Sequence, residues 1–267
     1  MSFRSGARAL PALVRVGALE GLALRGEVVV WILSTTMPLV MAALLSAAAR
    51  EGSIAGFDPP RVGAYFACAF IVRALTASWV SWRINREIRD GSIAARLLRP
   101  VPLVASFAAE AIGAMPLRVL VSTAVAVALV SVGGVSQLGH DPIVWALCPL
   151  TILGGWLLST CVSLAIGALA FWAESTVKLT DAWLAALFVF SGYTVPIALF
   201  PGPVRGFVDA LPFRYVIGLS VELMTGAHPR GEAIALVTRQ WTFVALAVAI
   251  ALVAWRRGLR RFAAYGG

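Results

Sequence analysis

Apolar runs long enough to cross a lipid bilayer constrain this chain more than any other feature of its sequence. A transmembrane helix needs about 20 mostly apolar residues, and residues 28–49 and 145–172 exceed that length without a single charged side chain. Apolar residues make up 60% of the 267-residue chain and charged residues 13%, which is more hydrocarbon than a soluble fold of this size can bury. The sequence therefore predicts an all-α membrane protein.

The apolar runs predict six transmembrane helices in a single transmembrane domain that covers residues 1–267. Their approximate bounds are residues 28–49, 64–82, 111–132, 145–172, 180–200 and 233–255. Charged side chains inside a span are costly in lipid and are expected to face the bundle interior or water. The candidates for an intramembrane or gating role are Arg73, Glu110, Arg118 and Arg239. A pair between Glu110 and either Arg118 or Arg73 is one hypothesis for their neutralisation.

Arginine clusters alternate with the predicted spans and indicate the orientation of the chain. They lie in the N-terminal segment, between spans two and three, and after span six, where they are Arg256, Arg257, Arg260 and Arg261. With six spans these segments share one side, so the positive-inside rule predicts that both termini are cytoplasmic. The net charge is +9, but no nucleic-acid-binding motif accompanies it. We therefore expect membrane lipids, and no nucleic acid, as partners.

Three segments outside the predicted spans have patterns of their own. Residues 1–27 carry arginines on one helical face and leucines on the other, which predicts an interfacial helix on the cytoplasmic leaflet. Residues 83–100 alternate charged and apolar side chains around Gly91, which predicts two short cytoplasmic helices, the second capped by Ser92. Residues 201–232 are too apolar for a plain external loop and predict short re-entrant helices.

The fifth predicted span contains two residues that disturb a helix, a glycine and a proline. Both would bend its outer half and free backbone groups that need new partners. One interpretation is an external gate beside the re-entrant segment, and the other is a simple helix kink. The gate candidates are Gly192, Tyr193, Pro196, Phe200 and Pro201.

The sequence has no motif for nucleotide hydrolysis. A P-loop requires Gly-Lys followed by Ser or Thr, whereas the only lysine, Lys178, stands between Val177 and Leu179. ATP and Mg²⁺ are therefore expected on a partner chain, and we predict no cofactor, metal site or catalytic residue on this one. The two histidines, His140 and His228, fall in predicted external loops and are interpreted as solvated surface residues.

One short stretch suggests an enzymatic alternative. Residues 90–96 (DGSIAAR) resemble the DGxxAR core of membrane CDP-alcohol phosphotransferases, in which aspartates hold metal ions against a diphosphate. However, Arg96 stands one residue late, Glu87 replaces an expected aspartate, and the later paired aspartates are missing. Because a two-metal site needs several carboxylates, this activity is the less favoured alternative.

Two motifs resemble those of bacterial ABC-2-type export permeases. Residues 88–100 (IRDGSIAARLLRP) are similar to the family pattern IRxGx[IL]xxxLLRP, and the preceding residues 72–79 (VRALTASW) are similar to the family as well. Residues 191–201 (SGYTVPIALFP), followed by LPF at 211–213, resemble the family stretch SGxxxPxxxFP and LPF. With the chain length and the N-terminal helix, the resemblance covers nearly the whole sequence.

The resemblance implies the transmembrane subunit of an exporter with two permeases and two ATPases, and a fold similar to type V exporters. The segment between spans two and three would then act as a coupling helix in a groove of the ATPase. Its side chains offer charge-assisted pairs and an apolar anchor: Arg89, Asp90, Gly91, Ile93, Arg96, Leu97, Leu98, Arg99 and Pro100. The alternative is that these arginines only follow the positive-inside rule and bind anionic lipid.

Export of a small amphipathic or hydrophobic substrate across the bacterial cytoplasmic (inner) membrane is the preferred function. It would use a separate ATPase in two copies and a second permease, either a copy or a paralogue. The main alternative, a proton-coupled secondary carrier, would depend on Glu110. A third alternative, a purely structural or signalling subunit, would transport nothing.

Overall fold

The computed structural model describes residues 37–51, 56–98, 103–113, 115–133 and 135–266. Within these ranges the chain is almost entirely helical, with short 3₁₀ turns between some of the α-helices. The α-helices are α1 Met37–Glu51, α2 Pro59–Thr76, α3 Val80–Arg89, α4 Ile93–Leu97, α5 Leu103–Gly113, α6 Met115–Gly133, α7 Pro142–Ala168, α8 Val177–Phe190, α9 Gly202–Ala210, α10 Gly218–Met224 and α11 Arg230–Gly266.

Four helical stretches in the described part of the chain are long and apolar enough to cross a membrane. They coincide with the predicted second, third, fourth and sixth spans: Pro59–Arg89, Ala105–Ala128, Pro142–Phe171 and Arg230–Phe262. The helix α1 is apolar but shorter. Residues 28–36 of the predicted first span lie outside the described residues. The chain is therefore a multi-pass helical protein; its described residues contain four candidate spans, whereas the sequence predicts six for the whole chain.

The fifth predicted span differs most from expectation. Its helix, α8, ends at Phe190 instead of continuing to residue 200. Gly192 follows with φ +82°, a left-handed conformation that a helix cannot contain and that glycine adopts readily. After Pro196 the chain makes only a 3₁₀ turn, Ile197–Leu199. The predicted bend is therefore a full end of the helix.

Two of the spans begin at Asp-Pro pairs that explain where each helix starts. The Asp58 carboxylate accepts a hydrogen bond from the backbone N–H of Arg61 at 3.1 Å, and Pro59 is the first helical residue. The Asp141 carboxylate likewise accepts from the N–H of Ile143 at 2.9 Å, ahead of Pro142. An aspartate cap satisfies an orphan N–H, and proline has none to lose at that position.

Residues 201–229 contain two short helices, α9 and α10, and the second is buried among the longer helices. Each residue from Arg214 to Leu223 is at most 8% exposed, and α10 packs against α2 and α7. Close approach to α7 is possible because Gly155 carries no side chain beside the Val216 carbonyl. The Gln240 amide of α11 then donates to the Tyr215 and Thr151 carbonyl oxygens, both at 2.8 Å.

Some predictions fall on residues that are not described. The interfacial helix at residues 1–27 lies outside the described residues, and so do Arg99 and Pro100.

Candidate functional site

The predicted coupling segment forms a sharp elbow, which we define as residues 89–98. The helix α3 ends at Arg89, and the N–H of Asp90 donates to the Arg86 carbonyl oxygen at 2.9 Å. Gly91 then takes φ +72°, which confirms the predicted turn at this residue. The side chain of Ser92 makes no capping hydrogen bond to α4, so the predicted cap is wrong.

The elbow presents some of the predicted contact residues outward and buries others. Leu98 is 86% exposed and Leu97 is also exposed, as are Arg89, Asp90 and Gly91. In contrast, Ile93 is completely buried in a cluster that includes Ile84 of α3, Leu164 of α7 and Trp255 of α11. Ile93 therefore anchors the elbow to its own bundle and is not available to a partner, contrary to the prediction.

Glu110 of α5 connects the elbow to the spans. Its Oε1 atom accepts from Arg96 Nη1 at 2.7 Å, and its Oε2 atom accepts from Arg83 Nη1. Arg96 also pairs with Glu87 Oε1 at 2.7 Å, and its guanidinium lies 4.7 Å from the centre of the Phe107 ring. Arg96 thus faces inward, whereas the sequence predicted that it faces an ATPase. The hypothesis that Glu110 pairs with Arg118 or Arg73 is wrong.

This group of two arginines and two glutamates has no net formal charge. Glu110 is only 6% exposed, and a buried carboxylate is stable only when it is paired and hydrogen-bonded. Both of its oxygens are engaged by guanidinium groups that come from different helices. The network therefore fixes how α3, the elbow and α5 stand relative to one another.

The other intramembrane arginines have separate environments. Arg118 donates from Nη1 to the Ala77 carbonyl oxygen at 3.1 Å, where the break between α2 and α3 leaves a backbone acceptor free. Arg73 is 8% exposed and lies 5.7 Å from the centre of the Phe188 ring. Arg239 is exposed on α11, 6.0 Å from the Tyr215 ring. The structure does not bring these three residues together with Glu110.

The five gate candidates lie in the irregular segment between α8 and α9. The Tyr65 hydroxyl of α2 donates to the Gly192 carbonyl oxygen at 2.7 Å. Tyr193 is fully buried and stacks on Phe188 with the ring centres 5.3 Å apart. Pro196 opens the 3₁₀ turn, and Phe200 and Pro201 lead into α9. This segment is held against the bundle by a long-range hydrogen bond as well as by packing.

A second charged group, which the sequence did not predict, lies between α9, α10 and α11. Arg214 Nη2 pairs with Glu222 Oε2 at 2.7 Å, and Arg214 Nη1 pairs with Asp209. His228 Nε2 lies 2.9 Å from the same Glu222 oxygen, and Nδ1 lies 3.0 Å from Glu232 Oε1. We call these five residues the Arg214 cluster. The interpretation of His228 as a solvated residue is wrong, because its side chain is only 8% exposed.

The comparison with known proteins decides the family. A family model described as ABC-2 family transporter protein matches residues 31–266. The chain belongs to the ABC-2 transporter family. A search of curated proteins found no match.

As an ABC-2 permease, the chain is a membrane transport subunit, and its family implies that it works with an ABC ATPase. Two carboxylates that the phosphotransferase alternative would use have different surroundings in this fold. Glu87 is held by Arg96, and Asp90 lies at an exposed turn. Glu87 and Glu110 instead pair with arginines of the same chain.

The Arg214 cluster of the permease favours the charged forms of His228 and Glu222. Burial alone would lower the pKa of His228, but the hydrogen bonds and charges of Glu222 and Glu232 outweigh burial and raise it. Burial would raise the pKa of Glu222, but His228 and Arg214 together lower it. Both ring nitrogens of His228 face carboxylate oxygens, so the imidazolium form donates to Glu222 and to Glu232. Nε2 also lies 3.2 Å from Arg214 Nη2, so a neutral ring with its proton on Nδ1 would donate to Glu232 and accept from Arg214.

One sequence signal could have revealed this cluster. Glu232 lies in the first turn of α11, and His228 stands four residues earlier, just before that helix begins at Arg230. This i, i+4 spacing brings the two side chains into contact at the start of the helix. The sequence did not reveal that α10 would be buried and bring Glu222 to the same point.

Proposed function

We propose that this ABC-2 permease is an exporter subunit that moves a small amphipathic or hydrophobic substrate across the bacterial cytoplasmic membrane. The energy would come from ATP and Mg²⁺ bound to a separate ATPase, with which the elbow makes contact. The observation that carries this proposal is the division of the elbow into an exposed side and a side fixed to the bundle.

The exposed side of the elbow has the chemistry of a docking surface. Leu97 and Leu98 are exposed apolar side chains next to Arg89 and Asp90. Apolar anchors surrounded by charged residues are typical of the energetically important centre of an interface. Arg99 and Pro100 follow directly in the sequence and belong to the same proposed surface.

The buried side of the elbow offers a route for transmitting motion. A force on Leu97 or Leu98 would reach Arg96, the neighbouring residue in α4, and through it Glu110 of α5. It would also reach α3 through the Glu87 pair with Arg96. Since α3 and α5 lie in or next to the candidate spans Pro59–Arg89 and Ala105–Ala128, a rotation of the elbow would move both spans.

The proposed assembly contains two permeases, identical or paralogous, and two ATPase copies, with both permease termini in the cytoplasm. The arginines at the end of α11 and around the elbow support this orientation by the positive-inside rule. Residues 191–201 are proposed as the external gate, since they close the turn between α8 and α9 next to the buried α10.

The test is association with the ATPase. The full-length chain is purified from native membranes in mild detergent, and the proteins that co-purify are identified by mass spectrometry. A stoichiometric chain with a P-loop lysine is expected, and Leu98→Asp should abolish its recovery because a charge replaces the apolar anchor. Val204→Asp on α9, which also alters an exposed apolar residue, should retain the partner. Normal recovery with Leu98→Asp and with Arg89→Glu would refute the proposed docking surface.

A proton-coupled carrier makes a different prediction. It would transport without any ATPase, and Glu110 would exchange a proton during each cycle. In the structure a proton on Glu110 would have to displace an arginine from one of its two oxygens. Transport in ATPase-free proteoliposomes under a proton gradient, abolished by Glu110→Gln, would favour the carrier over the exporter.

A further inference from the structure

A shallow groove of about 490 Å³ lies on the outside of the bundle, between α11 and the 3₁₀ turn Leu169–Phe171. Its lining includes Leu169, Ile250 and Val253, which are all exposed apolar side chains. No described residue of the chain covers these three side chains. One wall of the groove is formed by the candidate span Arg230–Phe262. In a membrane, an apolar molecule or a neighbouring protein would therefore contact the groove.

The charge along the groove changes sharply at one end. The lining is apolar from Ala249 to Ala254 and then reaches Arg257, its only charged residue. Arg257 stands seven residues after Ile250, which is about 10 Å along an α-helix. Trp172 lies at the groove as well, and tryptophan is enriched where hydrocarbon meets lipid headgroups. The next turn of α11 adds Arg260 and Arg261.

We propose that this groove binds an anionic phospholipid, with an acyl chain along Leu169, Ile250 and Val253 and the phosphate against Arg257. The apolar stretch matches the hydrocarbon, and the cationic end matches the headgroup. The site does not depend on the proposed transport function, because it uses neither the elbow nor the external gate.

Charge complementarity favours a lipid over a second copy of the chain. In a two-fold dimer built on this face the same patch would meet itself, and Arg257 would need a carboxylate opposite it. The only carboxylate on α11 is Glu232, at the other end of the helix, where it contacts His228. The lining of the groove therefore offers a second copy the cation of Arg257 and no carboxylate to match it; the exposed Glu174 stands two residues beyond Trp172 and outside that lining.

The experiment is a native mass spectrometry titration of the full-length protein with phosphatidylglycerol and with phosphatidylcholine of identical acyl chains. We expect phosphatidylglycerol to bind about fivefold more tightly, the order expected for one arginine near an anionic group. Arg257→Gln should remove this preference, whereas Arg205→Gln, which removes an exposed charge on α9, should preserve it. Val253→Trp, which fills the groove, should lower the occupancy of both lipids.

Fluorescence locates the bound lipid. Brominated phosphatidylglycerol should quench the fluorescence of Trp172. The fraction of total tryptophan emission that this lipid quenches should therefore be smaller in Trp172→Phe than in the wild type. Equal affinity of the wild type for the two lipids, or an unchanged preference in Arg257→Gln, would overturn the proposal. It would also fail if Val253→Trp converted a delipidated dimer into monomers, because the groove would then be an interface between copies.

Discussion

Gly155 of α7 lies so close to the carbonyl oxygen of Val216 that a Cβ atom at position 155 would stand 2.3 Å from it. The backbone of the segment leading into α10 therefore touches the backbone of a membrane span. This contact allows the buried helix α10 to pack against α7 instead of lying on the surface.

Substitution of Gly155 by alanine should destabilise the protein. The Val216 oxygen belongs to the backbone and cannot rotate away, so the segment must shift, and overpacking of this kind costs about 1–3 kcal/mol. The measurement is the thermal unfolding midpoint of the purified protein in detergent. Gly206→Ala is the matched control, because no atom lies within 4 Å of its added methyl group. Equal midpoints for the two variants would contradict this packing.

Removal of Glu110 should cost stability and impair coupling. Glu110→Ala leaves Arg96 partly buried with one carboxylate instead of two, and loss of one partner of a buried pair costs up to about 3–5 kcal/mol. Arg83 is more than a third exposed, so loss of its pair with Glu110 should cost less stability than loss of the Arg96 pair.

A double-mutant cycle tests the pair directly. Arg96→Ala with Glu110→Ala should lose less stability than the sum of the single variants, because the second change removes a charge that the first left unpaired. Arg86→Ala, an exposed arginine on α3, serves as the control and should change little. Strict additivity of Arg96→Ala and Glu110→Ala would show that the two residues are not coupled.

His228 should make stability depend on pH. Its pKa is raised in the folded protein, so its contribution is complete below the unfolded value of about 6.5 and is lost as the pH rises through the folded value. Glu222 acts in the opposite direction. Its pKa is lowered, so its contribution to stability is present at a pH above the ordinary pKa of a glutamate and is lost in acid.

The check is the unfolding midpoint measured from mildly acidic to mildly alkaline pH. The wild type should become less stable as the pH rises above about 6.5, and His228→Gln should lack that part of the pH dependence. His140→Gln, at an exposed position, should follow the wild-type curve. A His228→Gln curve parallel to that of the wild type would rule out the imidazolium contacts.

The sequence was most informative where the signal is local. The apolar runs predicted the positions of four helical stretches, and Gly91 marked the turn of the elbow, because length and positive φ are properties of a few neighbouring residues. The orientation of Ile93 and Arg96 was wrong because α4 has only five residues, too few for a hydrophobic period to indicate its buried face. The pairing of Arg83 with Glu110 spans 27 residues and depends on how the elbow folds back.

Tyr65→Phe should loosen the segment that contains the gate candidates. The Tyr65 hydroxyl donates to the Gly192 carbonyl oxygen at 2.7 Å, and Gly192 follows directly on the end of α8 and the Ser191 turn. Without the Tyr65 hydroxyl the Gly192 carbonyl oxygen loses this buried hydrogen bond, which costs about 1–3 kcal/mol of stability. Hydrogen–deuterium exchange should therefore increase in residues 191–200.

Tyr215→Phe is the comparison, because that hydroxyl makes only a long contact of 3.4 Å with the Asp209 carbonyl oxygen. If both variants exchanged like the wild type, packing of Tyr193 and Ile197 alone would hold the segment, and the hydrogen bond would not contribute to a gate.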